Sequence, residues 1–339
     1  MSPTAFDRRF CSDYFGYIQH HGLLPAGSRC LLAVSGGLDS MVLLDLFQRF
    51  ARKKYQADFV VAHLDHGLRP DSAEVASWLG EHCAAAGIAF VSQRIEVLAR
   101  HATAGQSSIE AVARDTRYAW LAATAREQNC ARIATAHSAS DQAETVLMRL
   151  IRGGIAGLGG MAPARSLDEL QLIRPLLGHS RTAIAAYAAE HDLSWREDPS
   201  NQDLKLFRNR VRAELMPWLL QENPRLEAAL SAQTTIWQAE QAWLEQQAEA
   251  LFAEHVRISP SGLELNTRTL LALPLALQRR LLKTMLSRHL GQWKRYGQAD
   301  IEALRQLAAG PGGKQLDLSG DLRAYKRRGQ LGFEARKPD

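Results

Sequence analysis

Ser35-Gly36-Gly37-Leu38-Asp39-Ser40 brings together the residue types that bind phosphate. The string closes an apolar run and opens a leucine-rich stretch, so it falls where a strand gives way to a helix. A helix N-terminus there offers unpaired N–H groups and a partial positive charge to an anion. Adjacent glycines let the backbone approach closely, and Ser35 and Ser40 add hydroxyl donors. Asp39 would repel a phosphate unless a cation stood between them, which points to Mg²⁺. The plain alternative is an ordinary strand-to-helix turn. Other nucleotide signatures fail. Gly313-Lys314 is followed by Gln315, and Ala308 stands where a GxxxxGK[ST] loop needs its first glycine. Gly157-Leu-Gly159-Gly-Met-Ala162 spells GxGxxA but follows a helical pattern, not a strand.

Other strings carry chemistry of their own. His63, Asp65, His66 and Arg69 follow a second apolar run. HxDH supplies metal-ligating types, but no third and fourth ligand lie near it, so zinc is not expected. Asp141 and Glu144 stand four and seven residues after His137, and one helical turn would bring all three to a common mouth. Asp141 equally reads as a first-turn carboxylate that complements the helix dipole. Glu110, Arg114 and Arg117 share a helix face, either as an exposed ion-pair stripe or as groups that steady negative charge. Lys205, Arg208, Arg210 and Arg212 form a basic run whose alternate spacing cannot lie on one helix face. The glycine-rich stretch 153–160 is either a tight turn or a loop that orders over substrates.

The elements that must position these groups follow a βαβ pattern over the first two hundred residues. Arg29–Ser35 and Ala57–Asp65 are apolar at nearly every position, as strands buried on both faces should be. Ala89–Val97 and Arg132–His137 fit as two more strands, with helices near 40–52, 72–86, 108–128 and 139–152. Asp71 with Glu74 predicts an N-cap for the second helix. The fold class is therefore α/β, a parallel-sheet Rossmann-like domain over residues 1–217. A helical connector is expected at 218–255 and a small α+β domain at 256–339.

Charge divides along the same line. Residues 1–199 hold 20 Lys and Arg against 21 Asp and Glu, whereas 200–339 hold 21 against 15. Residues 275–328 alone carry 12 basic and 4 acidic side chains, so a polyanion is the expected partner if those charges share a face, and a solvated surface is the alternative. Cys11, Cys30, Cys83 and Cys130 lie far apart without a CxxC pair, which excludes a disulfide scaffold or a zinc ribbon and suits a reducing compartment. No signal pattern opens the chain and no apolar stretch would span a bilayer, so a cytoplasmic location is expected, without a membrane partner.

SGGLDS resembles the PP-loop of the ATP pyrophosphatases, which cleave ATP to AMP and pyrophosphate to adenylate an oxygen. Four further strings narrow the resemblance to the tRNA(Ile)-lysidine synthase family: VAHLDHGLRPDSAEVA (61–76), IEAVARDTRYAWL (109–121), ATAHSASDQAETVLMRLIRGGIAGLGGM (134–161) and WREDPSNQDLKLFRNRVRAELMP (195–217). The resemblance implies ATP as a substrate held by Ser35, Gly36, Gly37, Leu38, Asp39 and Ser40, with His63 bordering the adenosine. It implies Mg²⁺ on Asp39 and Glu144, L-lysine at His137 and Asp141, and Arg114 in the reaction site. It sets Arg208 and Asn209 toward the crevice, Arg210 and Arg212 toward RNA phosphate, and tRNA(Ile) with a CAU anticodon as the partner. Many relatives carry a second histidine where this chain has Ser138. Dimers occur in the family, so a homodimer is admitted. A tRNA thiolase shares the same loop, but such enzymes carry sulfur on cysteines near the site, and the scattered cysteines oppose that alternative. A free-standing amino-acid adenylating enzyme would exchange pyrophosphate with lysine alone. A non-catalytic RNA-binding module would have no need of the intact acidic residues.

Overall fold

The computed structural model describes residues 4–65, 67, 72–95, 109–153, 158–197, 203–259, 262–290, 296–318 and 322–335. They form two compact units, Met1–Thr235 and Ile236–Asp339. No helix among the described residues is long and apolar enough to cross a membrane.

In the first unit, β1 (Arg29–Ala33) pairs in parallel with β2 (Asp58–Asp65) on one side and β4 (Arg132–Thr135) on the other. The sheet continues outward to β3 (Phe90–Arg94) beyond β2 and to β6 (Leu170–Ile173) beyond β4, and the antiparallel β5 (Ala164–Leu167) closes one edge. The central strands are apolar through their middles, Cys30–Ala33 and Phe59–Ala62, because both faces are covered. Cys30 and Leu32 face helices Ala5–His20, Leu38–Tyr55 and Arg181–Glu190, while Leu31 faces helix Ile109–Glu127. The parallel order leaves the carboxyl ends of β1 to β4 and β6 on one rim, where ligands bind in open α/β sheets.

The 109–127 and Ala139–Ile151 helices lie where periodicity predicts them. Ser138 caps the latter in a reciprocal box with Asp141, which gives Asp141 a structural job as well as a place on the rim. The expected N-cap Asp71, together with His66 and Arg69, lies outside the described residues, as does the middle of the glycine-rich stretch (154–157). Helix Phe207–Arg210 runs through one π turn, Val211–Leu215, into helix Met216–Glu222. Pro217 has no N–H for the carbonyl four residues earlier, and the Met216 N–H bonds Val211 O instead, which widens the turn.

In the second unit, five antiparallel strands lie in the order β7-β8-β11-β10-β9. They comprise β7 (Val256–Ser259), β8 (Gly262–Asn266), β9 (Gln315–Asp317), β10 (Leu322–Arg327) and β11 (Gln330–Ala335). Helices Leu275–Leu290 and Gln298–Ala309 bury Leu281, Leu282, Met285 and Leu304 against Leu265, Leu331 and Phe333. The long helix Leu226–His255 lends Phe252 to this core. Part of the unit's positive charge is paired within it. Arg279 and Arg305 pair with Glu302, Arg280 with Glu245, Arg288 with Glu249, Arg323 with Asp317 and Arg327 with Glu334. Lys326 caps a helix end by donating to Ala308 O and Gly310 O.

Candidate active site

Ser35–Ser40 follows β1 at the carboxyl rim of the sheet, and its turn is fixed by one hydroxyl. Ser40 Oγ accepts from the N–H groups of Ser35 at 3.2 Å and Gly36 at 3.1 Å and donates to Gly37 O at 2.8 Å. Gly36 has φ +87°, and a Cβ there would stand 2.9 Å from Val75 Cγ1, so both backbone and packing demand glycine. Gly37 differs. A Cβ at that position would meet only ordinary contacts, so its open face serves what approaches the loop. Gly37 gives the helix beginning at Leu38 no side-chain cap, which leaves first-turn N–H groups for an anion.

The loop opens into a cavity of about 910 Å³. Its lining includes Ser35, Asp39, His63, His137, Asp141 and Arg208, so groups expected from distant strings of the sequence meet there. His63 Nδ1 lies 2.9 Å from Val34 O, which ties the ring to the end of β1. Trp195, Arg196 and Glu197 also line the space, and Arg196 N donates to Gly36 O at 2.9 Å, so this segment binds the loop's back.

Two arginines hold the acidic pair. Arg208 donates from Nη2 to Asp141 Oδ1 at 2.7 Å and from Nε to Glu144 Oε2 at 2.8 Å. Arg212 donates from Nε to Glu144 Oε1 at 2.6 Å and from Nη2 to Asp141 Oδ1 at 3.1 Å. Asp141 Oδ2 accepts from Ser138 N and Oγ, so both oxygens of this carboxylate are engaged. Burial alone would push the Asp141 carboxyl up; Arg208, the Ser138 bond and Arg212 outweigh it and hold it below the ordinary range. Their neighbour Asn209 also lines the cavity, whereas Arg210 does not. Asn209 is buried and donates to Asp203 O, while exposed Arg210 donates to Leu204 O and Lys205 O.

His137 is held at Nδ1 by Thr135 Oγ1, 2.9 Å away. Burial, reinforced by Arg117, Arg174 and Arg208 and opposed by Asp141, lowers its pKa to about 3, so the imidazole is neutral. Arg117, not Arg114, reaches the cavity lining; Arg114 is exposed on the same helix, 5.7 Å from the centre of the Tyr118 ring. Spacing alone did not choose between these two arginines; the lining residues Trp195 and Arg196 gave no chemical signal beyond the quoted string, and Arg181 gave none.

Asp39 tests the expectation of Mg²⁺. Its Oδ1 is buried with no hydrogen-bond partner among the described residues. Burial, with Asp141 and Glu144 nearby and only partly offset by Arg181 and Arg212, pushes its carboxyl up to about 6. A divalent cation would relieve both the missing partner and the repulsion, so Asp39 fits that role. Glu144 fits it only by exchanging a guanidinium for the ion. No group of three His, Cys, Asp or Glu side chains arranged around a metal occurs among the described residues, so phosphate and water oxygens would complete the shell. The four cysteines are all buried and free, and none lines the cavity.

Comparison with known proteins assigns the chain. A family model described as the PP-loop domain matches residues 17–219, and one described as the TilS substrate binding domain matches 265–331. The tRNA(Ile)-lysidine synthase of Gloeobacter violaceus is 42% identical over 274 residues, with 80% of each chain covered. The chain belongs to the tRNA(Ile)-lysidine synthase family. Family members are ligases that form a C–N bond and carry an ATP-binding PP-loop domain. The synthase of Thermosynechococcus vestitus is 35% identical over 309 residues, covering 88% of this chain and 86% of its own. With the synthase of Thermus thermophilus the identity is 39% over 258 residues, 76% of this chain but 48% of that one. Among solved structures, the U34-tRNA thiolase NcsA from Methanococcus maripaludis aligns with a TM-score of 0.58 at 14% identity, over 67% of this chain and 79% of that one, which shows a shared fold.

Proposed function

We propose that this family member joins L-lysine to the wobble cytidine of the CAU anticodon in tRNA(Ile) at the expense of ATP. The observation that carries the reading is the meeting of the Ser35–Ser40 loop, Asp39 and the arginine-held Asp141 around one cavity. Residues 1–217 supply the catalysis, 218–255 connect, and the basic region 256–339 meets the tRNA, with the unpaired fraction of its charge setting the electrostatic attraction.

The cytosine C2 oxygen is a poor leaving group, so it first attacks the α-phosphorus of ATP. An O–P bond forms and pyrophosphate departs. The lysine side-chain amine then attacks C2, and AMP leaves with the former C2 oxygen. The target base must be unstacked to enter the cavity, which suits an anticodon loop. Gly37 and the first-turn N–H groups of Leu38 and Asp39 receive phosphate oxygens, with Gly36 shaping the turn and Ser35 at its side. His63 borders the nucleoside. Asp39 and, after release from its arginines, Glu144 would hold Mg²⁺, which supplies neutralisation of phosphate charge when bound.

Lysine must react as a neutral amine, which costs about 4–5 kcal/mol at pH 7 for a side chain with a free pKa near 10.4. His137 is too weak a base to take that proton. The surroundings that keep His137 neutral, burial with Arg117, Arg174 and Arg208 close by, disfavour an ammonium in the same place. We therefore assign His137 to accepting a hydrogen bond from the amine and Asp141 to holding the lysine end once Arg208 or Arg212 yields. The guanidiniums thus released, with Arg117 beside them, face the charge that develops on the adenylate, while Arg114 stands outside the cavity. Asn209 braces the turn that carries them, and Arg210 is the exposed member of the run available to RNA phosphate.

Pyrophosphate release from ATP tests the reading. It should require tRNA(Ile) with a CAU anticodon and vanish in Asp39→Ala without loss of tRNA binding. Release driven by lysine alone would instead identify a free-standing amino-acid adenylating enzyme.

A further inference from the structure

Four arginines converge on one phenol beside the cavity. Arg114 and Arg117 come from the 109–127 helix, one turn before and next to Tyr118; Arg165 lies on edge strand β5 and Arg174 just beyond β6. The guanidinium carbon of Arg165 sits 5.0 Å from the centre of the Tyr118 ring, and those of Arg114 and Arg117 each 5.7 Å from it. Arg174 is 2% exposed, and its Nη1 donates to Ala162 O while its Nε has no hydrogen-bond partner among the described residues. None of the four makes an ion pair with a carboxylate among the described residues, in contrast to Arg126 further along the same helix, which takes both Asp168 and Glu169.

Such a cluster works against itself. Burial and the positive charges of Arg165 and Arg114 lower the Arg174 pKa, and although burial raises the Tyr118 phenol, the four guanidiniums outweigh it and bring it below its ordinary value. Cation–π contact with one ring offsets only part of that repulsion. The backbone holds the groups in place regardless. Arg174 N donates to Pro163 O across the β5–β6 hairpin, so Arg165 and Arg174 are presented on a fixed frame. Arg117 also lines the main cavity, so the cluster is continuous with it.

We propose that Arg114, Arg117, Arg165 and Arg174 form a phosphate-binding site around Tyr118, and that its occupant is a backbone phosphodiester of the substrate RNA beside the base inserted into the cavity. Planar guanidiniums match phosphate oxygens in pairs, and a second anion there relieves the repulsion that the protein leaves uncompensated. The triphosphate already has its own cradle at Ser35–Ser40, which favours the RNA as the source. The inference rests on the proposed action on tRNA.

The test measures binding of the full chain to a CAU-anticodon tRNA(Ile) transcript across a salt series, and binding of ATP separately. Arg165→Gln should bind the tRNA roughly tenfold more weakly at moderate salt. Its slope of log affinity against log salt should be shallower by about 0.7, the loss of one contact to single-stranded phosphate. Arg165→Lys should keep the slope, and ATP affinity should not change in either variant. Should melting show that Arg165→Gln is unfolded, Arg114→Gln at its exposed position repeats the measurement. An unchanged slope in folded Gln variants would overturn the inference while leaving the proposed reaction standing. Weaker ATP binding with an unchanged slope would overturn it in favour of the triphosphate, and a wild-type chain that fails to bind the tRNA would overturn both.

Discussion

Arg212 grips Glu144 at two points, from Nε to Oε1 at 2.6 Å and from Nη2 to Oε2 at 3.1 Å. The carboxylate is 3% exposed at its side chain, and this grip, shared with Arg208, is what allows it to be buried while charged. It also joins the turn after Phe207 to the helix that begins at Ala139, and so couples the basic run to the acidic rim. Arg212→Ala should destabilise the first unit by about 3 kcal/mol, the cost of stranding a buried charge. That corresponds to a melting temperature lower by roughly 6–12 °C. A change below one degree would show that Glu144 does not depend on this pair.

Gly36 and Gly37 should part company on substitution. Gly36→Ala forces a side chain onto φ +87° and against Val75, so it should cost about 1–3 kcal/mol of stability. Gly37→Ala has room within the protein and should melt within a degree of wild type, yet lose ATP affinity because its methyl group intrudes where phosphate approaches. Calorimetric ATP titration beside thermal melting separates the two. Unimpaired ATP binding by Gly37→Ala would remove the loop from the phosphate site.

Asp7 predicts a pH dependence away from the cavity. It is buried, with His191 Nε2 2.9 Å and Arg49 Nη2 3.8 Å from its carboxylate oxygens. Burial raises its pKa, but the His191 and Cys11 bonds and the Arg49 charge outweigh that and leave it below the ordinary value. A depressed carboxyl stabilises the fold above its unfolded pKa, near 3.9, and that contribution is lost as pH falls through the folded value. Asp7→Asn should therefore be about 1–2 kcal/mol less stable at pH 7. The gap to wild type should close as pH drops below about 4. A gap that stays constant down to pH 3 would contradict the pairing.

The cysteines offer a check on sulfur chemistry. Burial pushes the Cys83 thiol up to about 11, and burial with Asp7 beside it pushes Cys11 up to about 12; burial raises Cys30 and Cys130 as well. With so little thiolate, none of the four should react with a disulfide reagent at pH 8 until denaturant is added. Fast native-state labelling of any one of them, accompanied by loss of activity, would favour the thiolase alternative.

The features legible in the sequence are those with a local cause. Cys30 and Leu32 alternate with Leu31 between two covered faces, so the strand read as continuously apolar, and Ser35–Ser40 announced its turn through glycine and hydroxyl chemistry. The β5–β6 hairpin was not legible, because Ala164–Leu167 and Leu170–Ile173 are four residues each and mix polar with apolar side chains. Helix Ala5–His20 buries Phe10, Tyr14 and Ile18 at fourfold spacing, a pattern short enough to pass unread amid polar residues. Partners distant in sequence stayed hidden for a different reason. Nothing local links Arg208 to Glu144, 64 residues away, or Arg279 to Glu302, 23 residues away, so a charge count could not tell free guanidiniums from paired ones.

Incubation of the full chain with ATP, Mg²⁺, radiolabelled L-lysine and a CAU-anticodon tRNA(Ile) transcript tests the central claim most directly. The account predicts tRNA-linked label that survives mild alkaline deacylation, because the bond is C–N and not an ester, and no such label when ATP is omitted. Label that is lost on deacylation, or a tRNA that remains unlabelled while ATP is consumed, would contradict it.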